Sequence, residues 1–219
     1  MKIDLHTHTS YGSVCAYMDP DQLIKRAKEI GLDGVCITEH NQLWGQQAIE
    51  RLRQKHNFLV IGGVEVSTDC GDILVFGLHR SVRDVFYLQD LKKMVTDVGA
   101  IMILAHPFRF EREGVTDLFS SQNNSKQLSS LRKRNVFQMI NGIEVYNGQS
   151  GFQEKRFAKS IADRFNLSAT GGSDAHAILG VGACYSVFEE EVRNEQDLIS
   201  QIKGGKCRGV DPRWNRYSI

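Results

Sequence analysis

The chain has 219 residues, with 27 Lys or Arg against 26 Asp or Glu, so its formal net charge is +1. This balance argues against a protein that binds nucleic acid or an acidic membrane through a large positive net charge. A hydrophobic fraction of 41% excludes a disordered chain. Apolar runs are far shorter than the roughly 20 residues of a membrane helix, and no export signal is visible. We therefore expect one cytoplasmic domain over residues 1–219, with no membrane partner.

Short apolar segments alternate with amphipathic ones along the chain. The apolar segments predict strands at residues 2–8, 34–40, 58–65, 72–79, 101–106, 142–146, 169–174 and 183–188. The amphipathic segments predict helices at residues 20–30, 43–56, 82–98, 152–165 and 195–203. Asp19, followed by Pro20, is a typical helix N-cap. The alternation predicts an α/β fold with a mainly parallel sheet, either open or closed into a barrel.

One segment breaks this alternation. Residues 110–135 are rich in Ser, Asn, Gln and basic side chains. Two interpretations stay open for this segment: a surface connection that contains one helix, or a lid over a functional site, since long loops in compact domains often carry function.

Six of the seven histidines lie at or just after the end of a predicted strand: His6, His8, His40, His79, His106 and His176. In parallel β-α folds the loops after the strands build the active site, so these imidazoles are expected to converge on one mouth. His56 instead lies in the last turn of a helix, where an imidazole complements the helix dipole, and we assign it a structural role. The pattern predicts a metal site.

Two carboxylates strengthen this prediction. His6 and His8 are two residues apart and hence on one face of a strand, and Asp174 and His176 repeat the spacing. Glu65 lies next to two glycines in an otherwise apolar strand, where a buried carboxylate is costly unless a cation neutralises it. Each motif alone has a structural explanation, but the set is far more specific. Histidine and carboxylate ligands suit Zn, Mn or Fe.

These motifs occur in the order DLHTHTSY, ITEHN, GGVEVST, DILVFGLH, AHPFR, GIEVYN and GSDAH. In this order they resemble the PHP domain superfamily of polymerases and histidinol phosphatases, and the resemblance covers most of the chain. It implies a distorted seven-stranded β/α barrel that holds two or three divalent metal ions at the C-terminal mouth of its strands. It also implies hydrolysis of phosphate esters, from small phosphomonoesters and nucleotide phosphates to oligonucleotides.

The resemblance implies three metal positions. The first ion would be bound by four residues: His6, His8, Glu65 and Asp174. Glu65 would bridge to a second ion, completed by His79 and His106. A third ion would be bound by His40 and His176.

The resemblance also implies roles in the reaction. The expected catalytic residues are Glu65, Asp174 and His176. Glu144, in GIEVYN, would orient a ligating imidazole by a hydrogen bond. Arg109, which follows AHPF, would either contact the phosphate of the substrate or lie exposed on the surface.

The loop after His8 departs from the family, in which many members supply an Asp or His to the third ion. Residues 9–18 contain neither. Cys15 is the only residue in that loop whose side chain is a strong metal ligand. The other four cysteines form no C-x-x-C pair and are expected to be reduced thiols. Two arrangements remain open: Cys15 completes the third site as a thiolate, or bound phosphate and water complete it.

The expected function is a metal-dependent hydrolase of a small phosphorylated metabolite or nucleotide, with a hydroxide held between two ions as the nucleophile. One alternative is a nuclease that trims oligonucleotides. The near-zero net charge disfavours it, while the basic pair at 133–134 and the basic and aromatic segment 208–217 keep it open. Another alternative is a metal-stabilised binding module without catalysis. Covalent serine chemistry and a P-loop have no support, since neither G-x-S-x-G nor a Walker motif occurs.

Overall fold

The structure, a computed structural model, describes residues 1–109 and 135–214. In chain order its elements are β1 (Lys2–Thr7), α1 (Pro20–Glu29), β2 (Gly34–Ile37), α2 (Gln46–His56), β3 (Leu59–Gly62), β4 (Val64–Thr68), β5 (Gly71–Phe76), α3 (Leu88–Val98), β6 (Ile101–Leu104), α4 (Val136–Met139), β7 (Gly142–Asn147), α5 (Phe152–Phe165), β8 (Ser168–Gly172), a 3₁₀ turn (Ile178–Gly180), β9 (Tyr185–Phe188), α6 (Glu195–Lys203) and β10 (Cys207–Val210). The predicted lid, apart from its last residue, lies outside the described residues, as do the basic pair at 133–134 and residues 215–219.

The strands form two five-stranded sheets. The first has the order β10-β9-β1-β2-β3, with β1, β2 and β3 parallel and β9 antiparallel to both of its neighbours. The second has the order β4-β5-β6-β7-β8, in which β5 runs antiparallel to β4 and β6, while β6, β7 and β8 are parallel. The predicted α/β fold is confirmed, but the sheets are mixed rather than mainly parallel, because four of the eight strand pairings among the described residues are antiparallel.

The seven-stranded barrel implied by the resemblance is not confirmed, since the described residues form ten strands in two sheets. The sheets nevertheless adjoin on two sides. His40 and Glu65 form a parallel bridge on one side, and Thr7 and Ala175 form a parallel bridge on the other. The ends of strands from both sheets therefore lie close to one another.

Gly63 divides the single strand predicted at residues 58–65 into β3 and β4. A Cβ atom at Gly63 would lie 2.6 Å from Cε1 of Phe76, a distance that real Cβ contacts do not reach. Glycine is therefore required where the chain passes from one sheet to the other. The break places Glu65 at the start of the second sheet rather than at the end of the first.

Apolar side chains from both sheets meet between them and form one core, which includes Ile3, Leu5, Leu74, Phe76 and Ile103. A second core lies against the outer side of the second sheet, where α3 and α5 pack. A third joins α1 and α2 to the first sheet. Burial of each such side chain contributes roughly 1.5–3 kcal/mol to folding, and the cores hold the strand ends in place.

Capping side chains fix where two of the first three helices begin, α1 and α3, whereas α2 has no side-chain cap. Asp19 caps α1 as predicted, because its Oδ1 accepts from the Gln22 amide at 2.8 Å. Helix α3 begins at Leu88 rather than at residue 82, because its first amide donates to Oδ1 of Asp69 at 2.9 Å. Helix α2 begins at Gln46 rather than at residue 43.

Within the described ranges, no helix has both the length and the apolar character needed to cross a lipid bilayer.

Candidate metal centre

Seven of the eight predicted metal ligands meet at one end of the two sheets. We call them the histidine cluster: His6, His8, His40, Glu65, His106, Asp174 and His176. Five of these side chains are buried, while those of His40 and His176 are partly exposed. The cluster residues come from β1 and β4, and from the segments that follow β1, β2, β6 and β8. The predicted convergence of strand ends therefore brings these side chains together.

Glu65, which is 1% exposed, lies at the middle of the cluster. Its Oε2 atom is 3.4 Å from Nε2 of His6, 3.3 Å from Nε2 of His8 and 2.9 Å from Nδ1 of His40. Its Oε1 atom is 2.9 Å from Nε2 of His106. One carboxylate thus faces four imidazoles with its two oxygens, which is the placement expected of a carboxylate shared between cations.

Asp174 provides the second buried carboxylate. Its Oδ1 atom is 3.5 Å from Nε2 of His6 and 3.3 Å from Nε2 of His8. Its backbone amide donates to the carbonyl of His6 at 2.7 Å, which joins the end of β8 to β1. The backbone of Asp174 has φ 54° and that of His106 has φ 22°, so both residues adopt left-handed conformations.

Among the described residues, four groups of ligand atoms lie close enough together to hold an ion. They are His6, His8 and Glu65; His6, His106 and Asp174; Glu65, Asp72 and His106; and His8, His40 and His176, each group with its atoms within 4.8 Å of one another. The first group contains three of the four ligands predicted for the first position, and the last group adds His8 to the two predicted for the third position. The third group has Asp72 where the prediction places His79.

The donor atoms fit a cation. Nε2 of His6, Nε2 of His8 and Oε2 of Glu65 are buried and make no hydrogen bond of acceptable geometry among the described residues, although Nδ1 of His40 lies 2.9 Å from Oε2. Buried polar atoms are costly when unpaired. Nδ1 of His6 lies 3.0 Å from Oε1 of Glu144, so a proton on Nδ1 leaves the Nε2 lone pair directed into the cluster. A divalent ion would pair all three atoms at once.

The pKa values show how the cluster compensates its charge without an ion. Burial disfavours the charged form of His6, but Glu144 and Glu65 outweigh it and raise the pKa of His6 to about 10. Burial and the neighbouring charge of His6 lower the pKa of His8 to about 2. Burial opposes ionisation of Glu65, yet His6 and His106 hold its pKa well below the usual range. Binding of a divalent ion is therefore expected to release the proton of His6.

Glu144 lies where the resemblance places an orienting residue. Its Oε1 is paired with Nδ1 of His6, and its Oε2 accepts from the His106 amide at 2.9 Å and from Nδ2 of Asn147 at 3.0 Å. Burial opposes the ionisation of Glu144, but the imidazole of His6 lowers its pKa. One carboxylate thus fixes the positions of two cluster histidines.

Arg109 lies at the cluster rather than on the open surface. Its Nη2 donates to Oδ2 of Asp174 and, at 3.0 Å, to Oδ1 of Asn147. Its side chain is 19% exposed, and this burial lowers the pKa of the guanidinium against the opposing effect of nearby carboxylates. A fixed positive charge therefore lies beside the carboxylates.

The structure does not bring His79 to the cluster. Its Nε2 lies 3.0 Å from Oε2 of Glu195, and its side chain is 46% exposed. The reason is the direction of β5, which runs antiparallel to its neighbours, so that its beginning lies at the cluster and its end leads away. The residue that reaches the cluster is Asp72, at the beginning of β5.

The remaining two residues that the sequence singled out are not members of the cluster. Cys15 is exposed and belongs to none of the four ligand groups found among the described residues. His56 ends α2, and its Nε2 lies 2.6 Å from Oδ1 of Asp21. That contact agrees with a structural role.

Sequence reasoning missed two acidic residues, Asp72 and Glu39. Asp72 begins an apolar run, and Glu39 directly precedes His40. A polar residue that borders an apolar strand was the available signal in both cases. Glu39 is fully buried beside the cluster.

The fold and the cluster together define a metal-binding α/β domain. A model of the PHP domain family matches residues 4–179, and a PHP-associated model matches residues 153–207. The chain therefore belongs to the PHP domain family.

An uncharacterized protein of Methanocaldococcus jannaschii is 28% identical over 202 residues, which cover 90% of this chain and 75% of that protein. A Bacteroides vulgatus structure, described as a two-domain protein containing a predicted PHP-like metal-dependent phosphoesterase, has a TM-score of 0.68 at 18% identity, and the match covers 96% of this chain and 64% of that one. A lesion-specific endonuclease from Pyrococcus furiosus has a TM-score of 0.61 at 17% identity, and the match covers 97% of this chain and 59% of that one. Both structures share the fold.

Proposed function

We propose that the protein is a metal-dependent phosphoesterase that hydrolyses phosphomonoesters of small metabolites or nucleotides. The observation that carries the proposal is the contact of one buried carboxylate, Glu65, with four imidazoles. A carboxylate with oxygens directed at two groups of ligands suits a site for two divalent ions, with Zn, Mn and Fe as the candidates.

The ligand groups assign the residues that would hold the ions. His6, His8, Asp174 and Glu65 would hold one, and Glu65 with Asp72 and His106 would hold another. His8, His40 and His176 form the group for a third. Ions bound there would polarise the phosphoryl group and make water a nucleophile at neutral pH.

The remaining side chains bind and orient. Arg109, whose guanidinium lies beside Asp174, is placed to bind the phosphate oxygens of the substrate. Glu144 holds the ring of His6 and the backbone amide of His106 in position. His176 is 22% exposed, so it is accessible from solvent, and where no third ion is bound it would be placed to donate a proton to the leaving oxygen.

Hydrolysis of p-nitrophenyl phosphate by metal-free protein, with Mn or Zn added back, tests the proposal. We expect turnover only after a metal is added, and a panel of phosphorylated metabolites and nucleotides then ranks the substrates. Stoichiometric metal binding without turnover on any member of the panel would contradict catalysis and favour the metal-stabilised binding module.

An oligonucleotide nuclease is the second candidate, and one feature favours it. The rings of Tyr11 and Trp44 lie 4.3 Å apart, and Tyr11 is 66% exposed. Nε1 of Trp44 donates to Glu39, the residue before His40, so this aromatic pair lies next to the cluster. Exposed aromatic rings stack on nucleic-acid bases, and a fold shared with a lesion-specific endonuclease is compatible with such a substrate. Salt-dependent binding and shortening of a labelled oligonucleotide would distinguish this activity from phosphomonoester hydrolysis.

A further inference from the structure

The carboxylate of Glu39 is fully buried beside the cluster, yet it belongs to none of the four ligand groups. Its Oε1 accepts from the Thr9 hydroxyl and, at 3.1 Å, from Nε1 of Trp44. Its Oε2 accepts from the Thr9 amide at 3.1 Å and from the Ser13 hydroxyl at 2.5 Å. All four partners donate a proton to this one carboxylate.

An amide could not replace this carboxylate without conflict. Two of the four partners, the Thr9 amide and the indole N–H of Trp44, can only donate. They lie on different oxygens of Glu39, so the NH₂ group of a glutamine would face an N–H group in either orientation. The surroundings therefore require a group that only accepts hydrogen bonds.

The Ser13 hydroxyl connects Glu39 to the cluster. Ser13 donates its single proton to Glu39, so its oxygen can only accept from its other partners. Those partners are the His40 amide at 3.3 Å and Nδ1 of His8 at 3.2 Å. Nδ1 of His8 must therefore carry a proton, and its Nε2, which is buried 3.3 Å from Oε2 of Glu65, keeps a free lone pair.

We propose that Glu39 is a positioning residue that acts through Ser13 to fix His8 in the tautomer able to bind a metal ion. Glu144 contacts His6 directly, whereas Glu39 reaches His8 through one hydroxyl group. The inference rests on the metal site of the proposed function, but it concerns the state of an imidazole before any ion binds.

Close packing holds the two connected groups together. A Cβ atom at Gly12 would lie 2.6 Å from Cγ of Glu39, so only glycine lets the loop after β1 lie this close to the carboxylate. The same loop carries Thr9 and Ser13, which supply three of the four donors. The loop and the carboxylate thus form one rigid unit beside His8.

The tautomer of His8 can be measured directly in the metal-free full-length chain. Long-range ¹H–¹⁵N spectra of histidine-labelled protein distinguish protonated from unprotonated ring nitrogens, and comparison with His8→Gln assigns the signals. We expect Nδ1 of His8 to be protonated in the wild type and this preference to be lost in Ser13→Ala. A wild-type protein with Nε2 protonated would overturn the proposal.

Zinc affinity gives a second readout, measured with Zn²⁺ alone in competition with a colorimetric chelator. We expect Ser13→Ala and Glu39→Gln to bind Zn²⁺ ~10- to 100-fold more weakly, the scale observed when partners that orient metal ligands are removed. Since Glu39→Gln can disturb folding of the loop, Ser13→Ala, which deletes one oxygen atom, is the decisive variant. Wild-type affinity in Ser13→Ala would overturn the proposal.

Trp44→Phe is the matched control, because it removes a donor from the other oxygen of Glu39 and leaves the Ser13 bond intact. We expect it to keep the wild-type tautomer of His8, and a shift equal to that of Ser13→Ala would contradict a path through Ser13. These measurements need no substrate. A wild-type protein that shows the expected tautomer but hydrolyses no phosphate ester would contradict the proposed function alone.

Discussion

Two regions of the molecule bury charged side chains, and they differ in whether those charges are paired. Lys155 and Asp211 are each 4% exposed, with Nζ of Lys155 2.6 Å from Oδ2 of Asp211. Nε of Arg213 lies 3.0 Å from Oδ1 of the same carboxylate. In the histidine cluster, by contrast, Nε2 atoms of two histidines and Oε2 of Glu65 make no hydrogen bond of acceptable geometry within the described part of the chain.

The difference shows what identifies a ligand site. Both regions bury charged groups. In the first region, the side chains of Lys155 and Arg213 neutralise the buried carboxylate. In the histidine cluster, imidazole and carboxylate atoms converge and are incompletely paired. His79 is paired with Glu195 and is 46% exposed, so it shows neither burial nor incomplete pairing. Burial together with incomplete pairing therefore predicts metal binding better than position at a strand end does.

Glu65→Gln is expected to have the largest effect. It removes the charge that faces four imidazoles, and we expect loss of bound metal and at least a ~10²-fold loss of phosphoesterase activity. Metal analysis together with turnover of p-nitrophenyl phosphate measures both effects. The control is His56→Gln, which changes a histidine paired with Asp21 away from the cluster and should leave turnover unchanged. Normal hydrolysis with full metal content in Glu65→Gln would refute a shared carboxylate.

Lys155→Met tests the fully paired region. Among the described residues, it leaves the buried Asp211 with Arg213 as its remaining charged partner. We expect the free energy of unfolding to fall by about 3 kcal/mol, measured by urea denaturation. Metal content should not change. An equal loss of metal would show that the two regions are coupled.

The pH dependence of stability probes the same pair. Burial alone would raise the pKa of Asp211, but hydrogen bonds from Arg213 and Lys155 lower it below its usual value. The resulting stabilisation is present above the pKa of an unfolded carboxyl, about 3.9, and is lost as the pH falls below it. Lys155→Met should therefore lose less stability than the wild type when acidified, as followed by thermal unfolding at pH 5 and pH 3.

Asp72→Asn and His79→Gln form a matched pair, since one lies at each end of β5. We expect Asp72→Asn to weaken binding of one ion at least ~10-fold, and the loss of that ion to lower the phosphoesterase activity. His79→Gln should leave metal content and turnover unchanged. Titration with Zn²⁺ and parallel assays compare them, and the reverse ranking would restore His79 as a ligand.

Arg109→Ala tests whether a cation beside the carboxylates serves the substrate. If the guanidinium binds the phosphoryl group mainly in the transition state, kcat and kcat/KM should fall together, by ~10-fold or more. A rise in KM alone would instead indicate binding of the ground state. Unchanged kinetics would leave Arg109 as a structural partner of Asp174 and Asn147.

Cys15→Ser should have the smallest effect. Cys15 is exposed and outside the ligand groups, so we expect unchanged metal content. Of the two arrangements for a third ion, this favours completion by phosphate, which predicts a gain of metal when phosphate is present. Elemental analysis of the wild type and Cys15→Ser, each with and without phosphate, measures the number of bound ions. Loss of one ion from Cys15→Ser would place the thiolate at the third site.

The sequence predicted features that depend on neighbouring residues. Asp19, Pro20 and Gln22 are adjacent, so the start of α1 could be read locally. Most cluster residues were identified because strands place alternate side chains on one face and parallel strands end at one edge.

Features that depend on distant contacts could not be predicted. Helix α3 starts at Leu88 because Asp69, 19 residues earlier, caps it. Asp72 was missed, and His79 assigned in its place, because local pattern does not give the direction of β5 within the sheet. Likewise β10 is short and carries Arg208, and it forms a strand because β9 pairs with it.

The left-handed backbone of His106 and Asp174 has a consequence for how the protein would change under selection. Such conformations cost roughly 1–3 kcal/mol each for residues other than glycine, although Asp and His tolerate them better than most. His106→Gly would relax the chain while deleting a candidate ligand. Selection for stability alone would therefore act against the side chain at position 106, whereas selection for a bound ion would retain it.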